Sequence, residues 1–339
     1  MKVNKVDTHP KVTFIIPTLN AEKDLPICLS SIRKQNYPQE KIEIIVADGG
    51  STDQTRNIAK KFHSKLLHNK KIYQEYGKTE ASKIATGNLL FYVDADNVLA
   101  TNTFVTSVVH VYLAHPEVMG FLPQTIPAPD SNPIDRYLGY LFTEPFTWFV
   151  YKNSVNPMDF RKTYTPIKSL PEFELYRFPK SNIPLFGLAQ GVATNKKFYR
   201  GTFDYADDIL SGIKLIQQSG IVAYIPNATI FHYHIKSFSQ FIKKYSWRTR
   251  NNFTKTIKDT GLISRLSYLS IKQKIRIFLF LPYALSIIFP LIDGLSLSIR
   301  YNDLVMLYHP IISYTLAWII IIERIRSILW PKSVIGHYR

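Results

Sequence analysis

Leu89-Leu90-Phe91-Tyr92-Val93-Asp94-Ala95-Asp96-Asn97 runs five apolar residues straight into two aspartates two positions apart. A short apolar run of this kind, bounded by polar residues, reads as a buried strand. Ligands of open α/β sheets sit beyond the C-terminal ends of the strands. Carboxylates placed there can hold Mg²⁺ or Mn²⁺, and the ion in turn a diphosphate. Two earlier segments follow the same plan. Val12 to Ile16 leads into Pro17-Thr18-Leu19-Asn20, and Ile42 to Val46 leads into Asp48-Gly49-Gly50-Ser51-Thr52-Asp53. Between them lie helical signals. Asp24 stands where a helix cap belongs, Pro26 fits a first turn, and Leu25, Cys28, Leu29 and Ile32 recur at helical spacing. Ser51 or Asp53 opens a second helix through Phe62. Strands alternating with helices predict a mostly parallel sheet with helices on both faces, and three polar loops converging on one edge. One acidic loop alone is an ordinary turn; three in order, each after a strand, make a ligand site. In it Gly49 and Gly50 allow close backbone approach, and Asp48 offers an acceptor suited to the imide N–H of a uracil ring.

The 339 residues allow one large domain or two ordinary ones. Lys and Arg number 42 against 25 Asp and Glu, for a net charge of +17, which favours an anionic partner. With 21 Tyr and 21 Phe the chain is no disordered polymer. Its single cysteine, Cys28, rules out an internal disulfide and a cysteine-based zinc site. Met1 to Lys11 is polar and precedes only a short apolar run, unlike a secretory signal. The charge is clustered: residues 236–276 carry eleven Lys and Arg opposed by Asp259 alone, more than half of the excess. Two apolar runs follow, Phe278 to Ser298, broken by Pro282, Pro290 and Asp293, and Leu304 to Ile322. Each has the length of a bilayer crossing. With basic residues at both outer ends, the positive-inside rule predicts a transmembrane hairpin and a catalytic domain facing the cytoplasm. The alternatives are re-entrant or interfacial helices, or a helical core. Asp135 to Tyr151 is dense in aromatics and suits either a helix at lipid headgroup level or core packing.

Taken together, Phe14-Ile15-Ile16-Pro17-Thr18-Leu19-Asn20, Ile45-Val46-Ala47-Asp48-Gly49-Gly50-Ser51-Thr52-Asp53 and Phe91-Tyr92-Val93-Asp94-Ala95-Asp96-Asn97 resemble the motifs of a family 2 glycosyltransferase with the GT-A fold, and Gly201-Thr202-Phe203-Asp204-Tyr205-Ala206-Asp207-Asp208 is similar to a fourth. The resemblance covers about residues 11 to 235. It implies nucleotide-sugar binding by Pro17, Thr18, Asn20, Asp48, Gly49, Ser51 and Asp53, a metal and diphosphate site at Asp94 and Asp96, and a catalytic base at Asp208 beside Asp207. Asp207 stands where the family has Glu. Pro226-Asn227-Ala228-Thr229-Ile230-Phe231-His232 resembles the family strand that ends in a metal-binding histidine; His234 has the same strand parity and is its rival. A shortened form of the family's Gly-rich segment, Gly77 to Gly87, leaves Lys78 or Lys83 to reach a phosphate. It is not a phosphate-binding P-loop, because position 72 is Ile.

The expected organisation is a catalytic domain over 1–235, with a nucleotide-sugar half (about 11–125) and an acceptor half (about 126–235). A basic juxtamembrane segment (236–276), two hydrophobic helices (277–330) and a tail (331–339) complete it. The expected reaction is an inverting, Mg²⁺- or Mn²⁺-dependent transfer from a nucleotide sugar, a UDP-sugar by the Asp48 reading, to a lipid-linked or glycan acceptor near membrane lipids. Arg248 and Arg250 are candidates for an acceptor phosphate, since Arg pairs with phosphate in bidentate fashion. The chain lacks the Gln-x-x-Arg-Trp motif of processive synthases: Trp247-Arg248 has the reversed order. A nucleotidyltransferase of the same fold would need a Gly-rich basic first loop, which Pro17 to Asn20 is not. A nucleic-acid-binding role for the basic segment finds no nucleic-acid motif beside it, so no nucleic-acid partner is expected.

Overall fold

The computed structural model describes residues 8–198, 208–254 and 265–330. In chain order the first elements are β1 (Val12–Thr18), α1 (Leu25–Arg33), β2 (Ile42–Asp48), α2 (Thr55–Lys61), β3 (Lys65–His68), α3 (Gln74–Ile84), β4 (Leu89–Tyr92), β5 (Asn97–Leu99), α4 (Phe104–Ala114) and β6 (Gly120–Ile126). There follow α5 (Pro133–Leu141), α6 (Pro145–Tyr151), β7 (Lys168–Ser169), β8 (Glu174–Tyr176), β9 (Val192–Asn195), α7 (Asp208–Ser219) and β10 (Val222–His232). The chain ends in α8 (Phe238–Thr254), α9 (Ile271–Leu285), α10 (Ile288–Tyr301) and α11 (His309–Leu329). It folds as two compact units. One holds 1–125, 161–178 and 186–232; the other holds 126–160, 179–185 and 233–339.

The first unit is built on a mixed sheet in the order β3-β2-β1-β4-β9-β6-β10-β8-β7, with β5 on β10. The leading quartet is parallel: β1 pairs with β2 and β4, and β2 with β3. Beyond it β9 runs antiparallel to β4 and β6, and β10 antiparallel to β5 and β8. Every residue of β1 and β2 is buried, as a strand covered on both faces requires. One face carries Val12, Phe14 and Ile16 against Leu25, Cys28, Leu29 and Ile32 of α1 and Phe104, Val105 and Val108 of α4. Phe14 stacks on Phe91 with ring centroids 4.8 Å apart. The opposite face receives α3, where a Cβ on Gly77 would lie 3.2 Å from the Ala47 methyl group. Asp24 occupies the N-cap position of α1 but makes no side-chain capping bond; Pro26 sits in the first turn as expected.

The second unit is helical, with a core of its own. Asp135 to Tyr151 resolves into α5 and α6, with Pro145 opening the second helix. Asn132 caps α5, its side chain accepting from Ile134 N and Asp135 N, and Glu144 caps α6, with Pro145 in the first turn. Tyr137, Leu138, Leu141 and Trp148 are buried with Phe280, Tyr283, Leu316 and Ala317, so the aromatic stretch packs a core, the second of the two expected readings. This packing is why 126–160 groups with the C-terminal helices, where the sequence suggested a catalytic domain continuous to 235.

The two apolar runs also differ from the expected pair of spans. Phe278 to Ser298 is divided between α9 and α10, whose axes meet at 97°. At the corner Ile287 has φ 62°, a left-handed conformation that a β-branched residue adopts only under strain. Leu304 to Leu329, a 3-10 turn leading into α11, is long and apolar enough to cross a membrane, and half of its most apolar stretch is buried inside the unit.

Candidate functional site

The register of β1 and β2 sets Thr18 opposite Asp48, so their two loops leave the sheet side by side. They are then stitched together. Gly49 N donates to Thr18 O at 2.8 Å and Asn20 N to Ser51 Oγ at 2.9 Å; Thr52 N donates to Asn20 Oδ1 at 2.9 Å and Glu22 N to Asp53 Oδ2 at 3.1 Å. Asn20 takes φ 51° and Gly50 φ 99°, which only small or turn-forming residues tolerate. Pro17 sits past the β1–β4 pairing, which ends at Ile15 with Tyr92. Asp53 also accepts from Thr55 N, the first residue of α2, at 3.0 Å.

Asp48 is 3% exposed, and its carboxylate accepts from Gly50 N, Ser51 N, Ser51 Oγ and Arg56 Nε. Burial works against its ionisation, yet the hydrogen bonds from Ser51 and Arg56 outweigh this and hold its pKa below the usual carboxylate value. Asp48 is thus the keystone of its own loop.

The acidic pair lies at the next strand end. Asn97, fully buried, donates from Nδ2 to Asp96 Oδ1 at 3.1 Å and accepts from Asp94 N at 2.9 Å, fixing the turn between them. Because β5 runs antiparallel to β10 with Asn97 opposite His232, the last residue of β10 arrives beside the pair. His232 Nε2 lies 3.6 Å from Asp96 Oδ2. His234, two residues on, belongs to the helical unit, where its backbone N donates to Asp135 Oδ1 at 2.7 Å. Of the two histidines, the register brings His232 beside the acidic pair.

Asp94 points the other way, toward α3. Lys78 Nζ is 3.6 Å from Asp94 Oδ1 and 2.9 Å from Glu75 Oε1, with both Lys78 and Glu75 buried. Ser211 on α7 donates to Glu75 Oε2 at 3.3 Å. A line of contacts therefore joins α7 to the acidic motif, Ser211 to Glu75 to Lys78 to Asp94. Burial raises the Asp94 pKa against the opposing pull of Lys78. Asp208 is the first residue of α7, one turn before Ser211. Its carboxylate lies so close to Gly187 that any Cβ there would collide with it. Asp207 lies outside the described residues.

Three residues expected to contact phosphate have other partners in the structure. Lys83 is on the exposed side of α3 and pairs with Glu80 at 2.6 Å; the lysine at the acidic motif is Lys78. Arg250 is 2.5 Å from Glu323 in the helical unit, where Arg326 also meets that carboxylate, so its guanidinium is committed to a buried ion pair. Arg248 lies over the Tyr245 ring, 5.6 Å from its centroid. Glu75, Ser211 and Gly187 are part of the site and had no sequence signal, since none belongs to a polar loop after a strand. Gly77-Lys78-Thr79 was visible, but nothing in it distinguished Lys78 from Lys83.

The residues present suit a divalent ion in one respect. Asp94 Oδ1 is buried without a hydrogen-bond partner, and Asp96 and His232 form a carboxylate–imidazole pair. Among the described residues no three His, Cys, Asp or Glu side chains converge on one point. Mg²⁺ sites on phosphate substrates ordinarily take only one or two protein ligands and complete their shell with phosphate oxygens and water. A protein pair of Asp96 and His232 matches that requirement.

A sheet with these loops at its strand ends is a GT-A type fold. Residues 13–164, a little under half of the chain, match the model of glycosyl transferase family 2. Poly(ribitol-phosphate) β-N-acetylglucosaminyltransferase TarS of Staphylococcus aureus (strain Mu50 / ATCC 700699) is 33% identical over 117 residues, 32% of this chain and 20% of that protein. A dolichyl N-acetyl-α-D-glucosaminyl phosphate 3-β-D-2,3-diacetamido-2,3-dideoxy-β-D-glucuronosyltransferase of Methanococcus voltae is 35% identical over 91 residues, 25% of this chain and 28% of that one. The matched stretches thus span less than a third of either relative. The crystal structure of S. aureus TarS 1–349 superposes with a TM-score of 0.50 at 14% identity, covering 97% of this chain and 93% of that one, a likeness of fold.

Proposed function

We propose that this protein transfers a sugar from a nucleoside-diphosphate sugar to a hydroxyl of a glycan or lipid-linked acceptor, with inversion at the anomeric carbon. The observation that carries the reading is the meeting of the acidic motif with His232 and with α7 at one edge of the sheet. The stitched Pro17–Asn20 and Asp48–Asp53 loops form the cradle for the nucleotide; Asp48 shapes it from within. Lys78 sets the position of the Asp94 carboxylate. Asp96 and His232 would hold a Mg²⁺ or Mn²⁺ ion, which when bound offsets the negative charge of the diphosphate. Asp208 accepts the proton of the acceptor hydroxyl while that oxygen bonds to the anomeric carbon and the bond to the diphosphate oxygen breaks. The relatives named above are described as acting on poly(ribitol phosphate) and a dolichyl-linked phosphate, both anionic, and a chain of net charge +17 suits an acceptor of that class.

The test is a screen of the full-length protein in detergent with a panel of nucleotide sugars, led by UDP-sugars, in Mn²⁺ and in EDTA. Release of nucleoside diphosphate with one donor, abolished by EDTA, is the expected result. Pyrophosphate release from a nucleoside triphosphate would instead establish a nucleotidyltransferase.

A further inference from the structure

The helical unit carries a second feature that sugar transfer does not use. α9 and α10 each have one outward face that is almost wholly apolar. On α9 it includes Ile275 (52% exposed) and Phe278 (82%), on α10 Ile292 (57%) and Ile299 (84%). The inward faces are ordinary core: Phe280, Tyr283 and Ala284 on α9, Leu297 on α10. We propose that the α9–α10 elbow is an in-plane wedge that docks this protein on an anionic lipid surface without crossing it.

Geometry argues against crossing. The arms have 15 and 14 residues, about 22 and 21 Å at 1.5 Å per residue, each short of the ~30 Å hydrocarbon layer. The bend is held by bonds between the arms. Tyr283 on α9 donates to Asp293 Oδ2 on α10 at 2.7 Å, and Lys152 Nζ reaches the same oxygen at 3.1 Å. Straightening the pair would strip Asp293 of Tyr283 and carry a carboxylate into hydrocarbon, which is costly. Gly294 keeps α10 close to the following turn, where a Cβ would lie 3.1 Å from Met306 O.

α11 is a poor span for a different reason. α8, α6, α9 and α10 all pack against it, and α8 carries Lys243, Lys244, Arg248 and Arg250. Arg250 reaches Glu323, which is buried on α11. A helix clothed on one side by a basic amphipathic helix presents only its other stripe, from Ile311 through Trp318 to Ile325, to any lipid. One-sided apolar helices with basic flanks lie in the membrane interface.

Charge selects the occupant. Lys272 and Lys274 stand exposed in the first turn of α9 between Ile271 and Ile275, with Arg276 just behind. This interleaving of cations with apolar side chains matches an anionic headgroup layer over acyl chains; a second copy of the chain would bring the same cations face to face.

Vesicle binding requires no turnover, so this proposal and the sugar-transfer reading fail separately. In flotation, the full-length protein is expected to rise with phosphatidylcholine vesicles containing phosphatidylglycerol, less with pure phosphatidylcholine, and less again in high salt. The double variant Phe278→Asp/Ile292→Asp is expected to lose about tenfold or more in partitioning with an unchanged melting temperature, because both side chains already face outward. Undiminished flotation of that variant, or a dimer in solution that the variant dissociates, overturns the proposal. Lys272→Cys and Asn302→Cys, at the two ends of the elbow, give the topology; the cation lost at Lys272 bears on affinity, whereas labelling reads sidedness. Cys28 is buried and silent. A membrane-impermeant maleimide added to sealed membrane vesicles of one orientation is expected to label both sites together. Labelling of the two sites in vesicles of opposite orientation would show a crossing and refute the wedge.

Discussion

The two units treat charge in opposite ways. At the sheet edge the carboxylates meet looser contacts. Asp94 Oδ1 is buried with no hydrogen-bond partner and only Lys78 Nζ at 3.6 Å, and Asp96 is about a third exposed beside His232. In the helical unit the acids are closed off in pairs: Glu323 with Arg250 and Arg326, Asp293 with Tyr283 and Lys152, Asp303 with Arg136, Asp159 with Arg300. A buried carboxylate satisfied by the protein stabilises a particular packing, whereas one left wanting a cation or a proton is available for chemistry. The difference separates residues that should change turnover from residues that should change stability.

The sharpest test of the first kind is Asp208→Asn. It keeps the size of the side chain against Gly187 and removes its basicity. We expect turnover to fall by about 10²–10⁴-fold, the usual worth of a general base, with the dissociation constant of the donor little changed. Single-turnover transfer and donor titration measure the two separately, and unchanged turnover would reassign the base.

The second kind is tested at Glu323. Glu323→Ala leaves Arg250 facing a buried position without its partner and should cost about 3 kcal/mol in urea unfolding, the low end for a broken buried pair because Arg250 is partly exposed. Donor consumption by the folded protein should persist. A double-mutant cycle with Arg250→Ala reads the coupling directly; no coupling would mean that the pair does not hold α8 to α11.

Asp96→Ala addresses the open site again, with a smaller effect. Loss of one of two protein ligands should weaken Mn²⁺-dependent donor binding by about tenfold, near 1.4 kcal/mol, while binding in EDTA stays as in the parent. Equal Mn²⁺ dependence in parent and variant would remove Asp96 from the site.

How legible these features were in the sequence follows the same division. The parallel half of the sheet could be read because each strand is apolar, short and followed by a polar loop; β1, β2 and β4 begin at Val12, Ile42 and Leu89 as their patterns indicate. Asp94, Asp96 and His232 were legible because strand ends place them. Glu75 and Ser211 were not, since both sit inside helices and meet only through tertiary packing. The bend at Ile287 was equally silent: Pro282 and Pro290 signal a break, yet neither is the corner, and Pro282 lies inside α9. Hydrophobicity likewise marked Leu304 to Ile322, although α11 runs from His309 to Leu329, and it did not show the basic helix packed against it.

The smallest expected effect concerns a carboxylate far from any proposed chemistry, and it serves as the control for the comparison. Glu43 on β2 is opposite Thr13 on β1, and accepts from Thr13 Oγ1 at 2.6 Å, Thr86 N at 2.8 Å and Lys65 Nζ at 2.5 Å. Burial opposes its ionisation, but the bonds from Lys65, Thr13 and Thr86 prevail and bring its pKa down to about 2 from an ordinary 4.5. The unfolded chain therefore takes up a proton here before the folded one does. The stabilisation is present in full above about pH 4.5 and is lost as the pH falls toward 2. Glu43→Gln keeps the shape and some of the bonds while removing the titration. Unfolding free energies from urea melts at pH 5 and pH 3 should differ by about 1 kcal/mol less in the variant than in the parent, the net worth of an ordinary hydrogen bond, because Lys65 is more than half exposed and its charge is screened. Identical pH slopes would show that these bonds gain nothing from ionisation, and that the sheet tolerates a neutral side chain where it is not asked to bind anything.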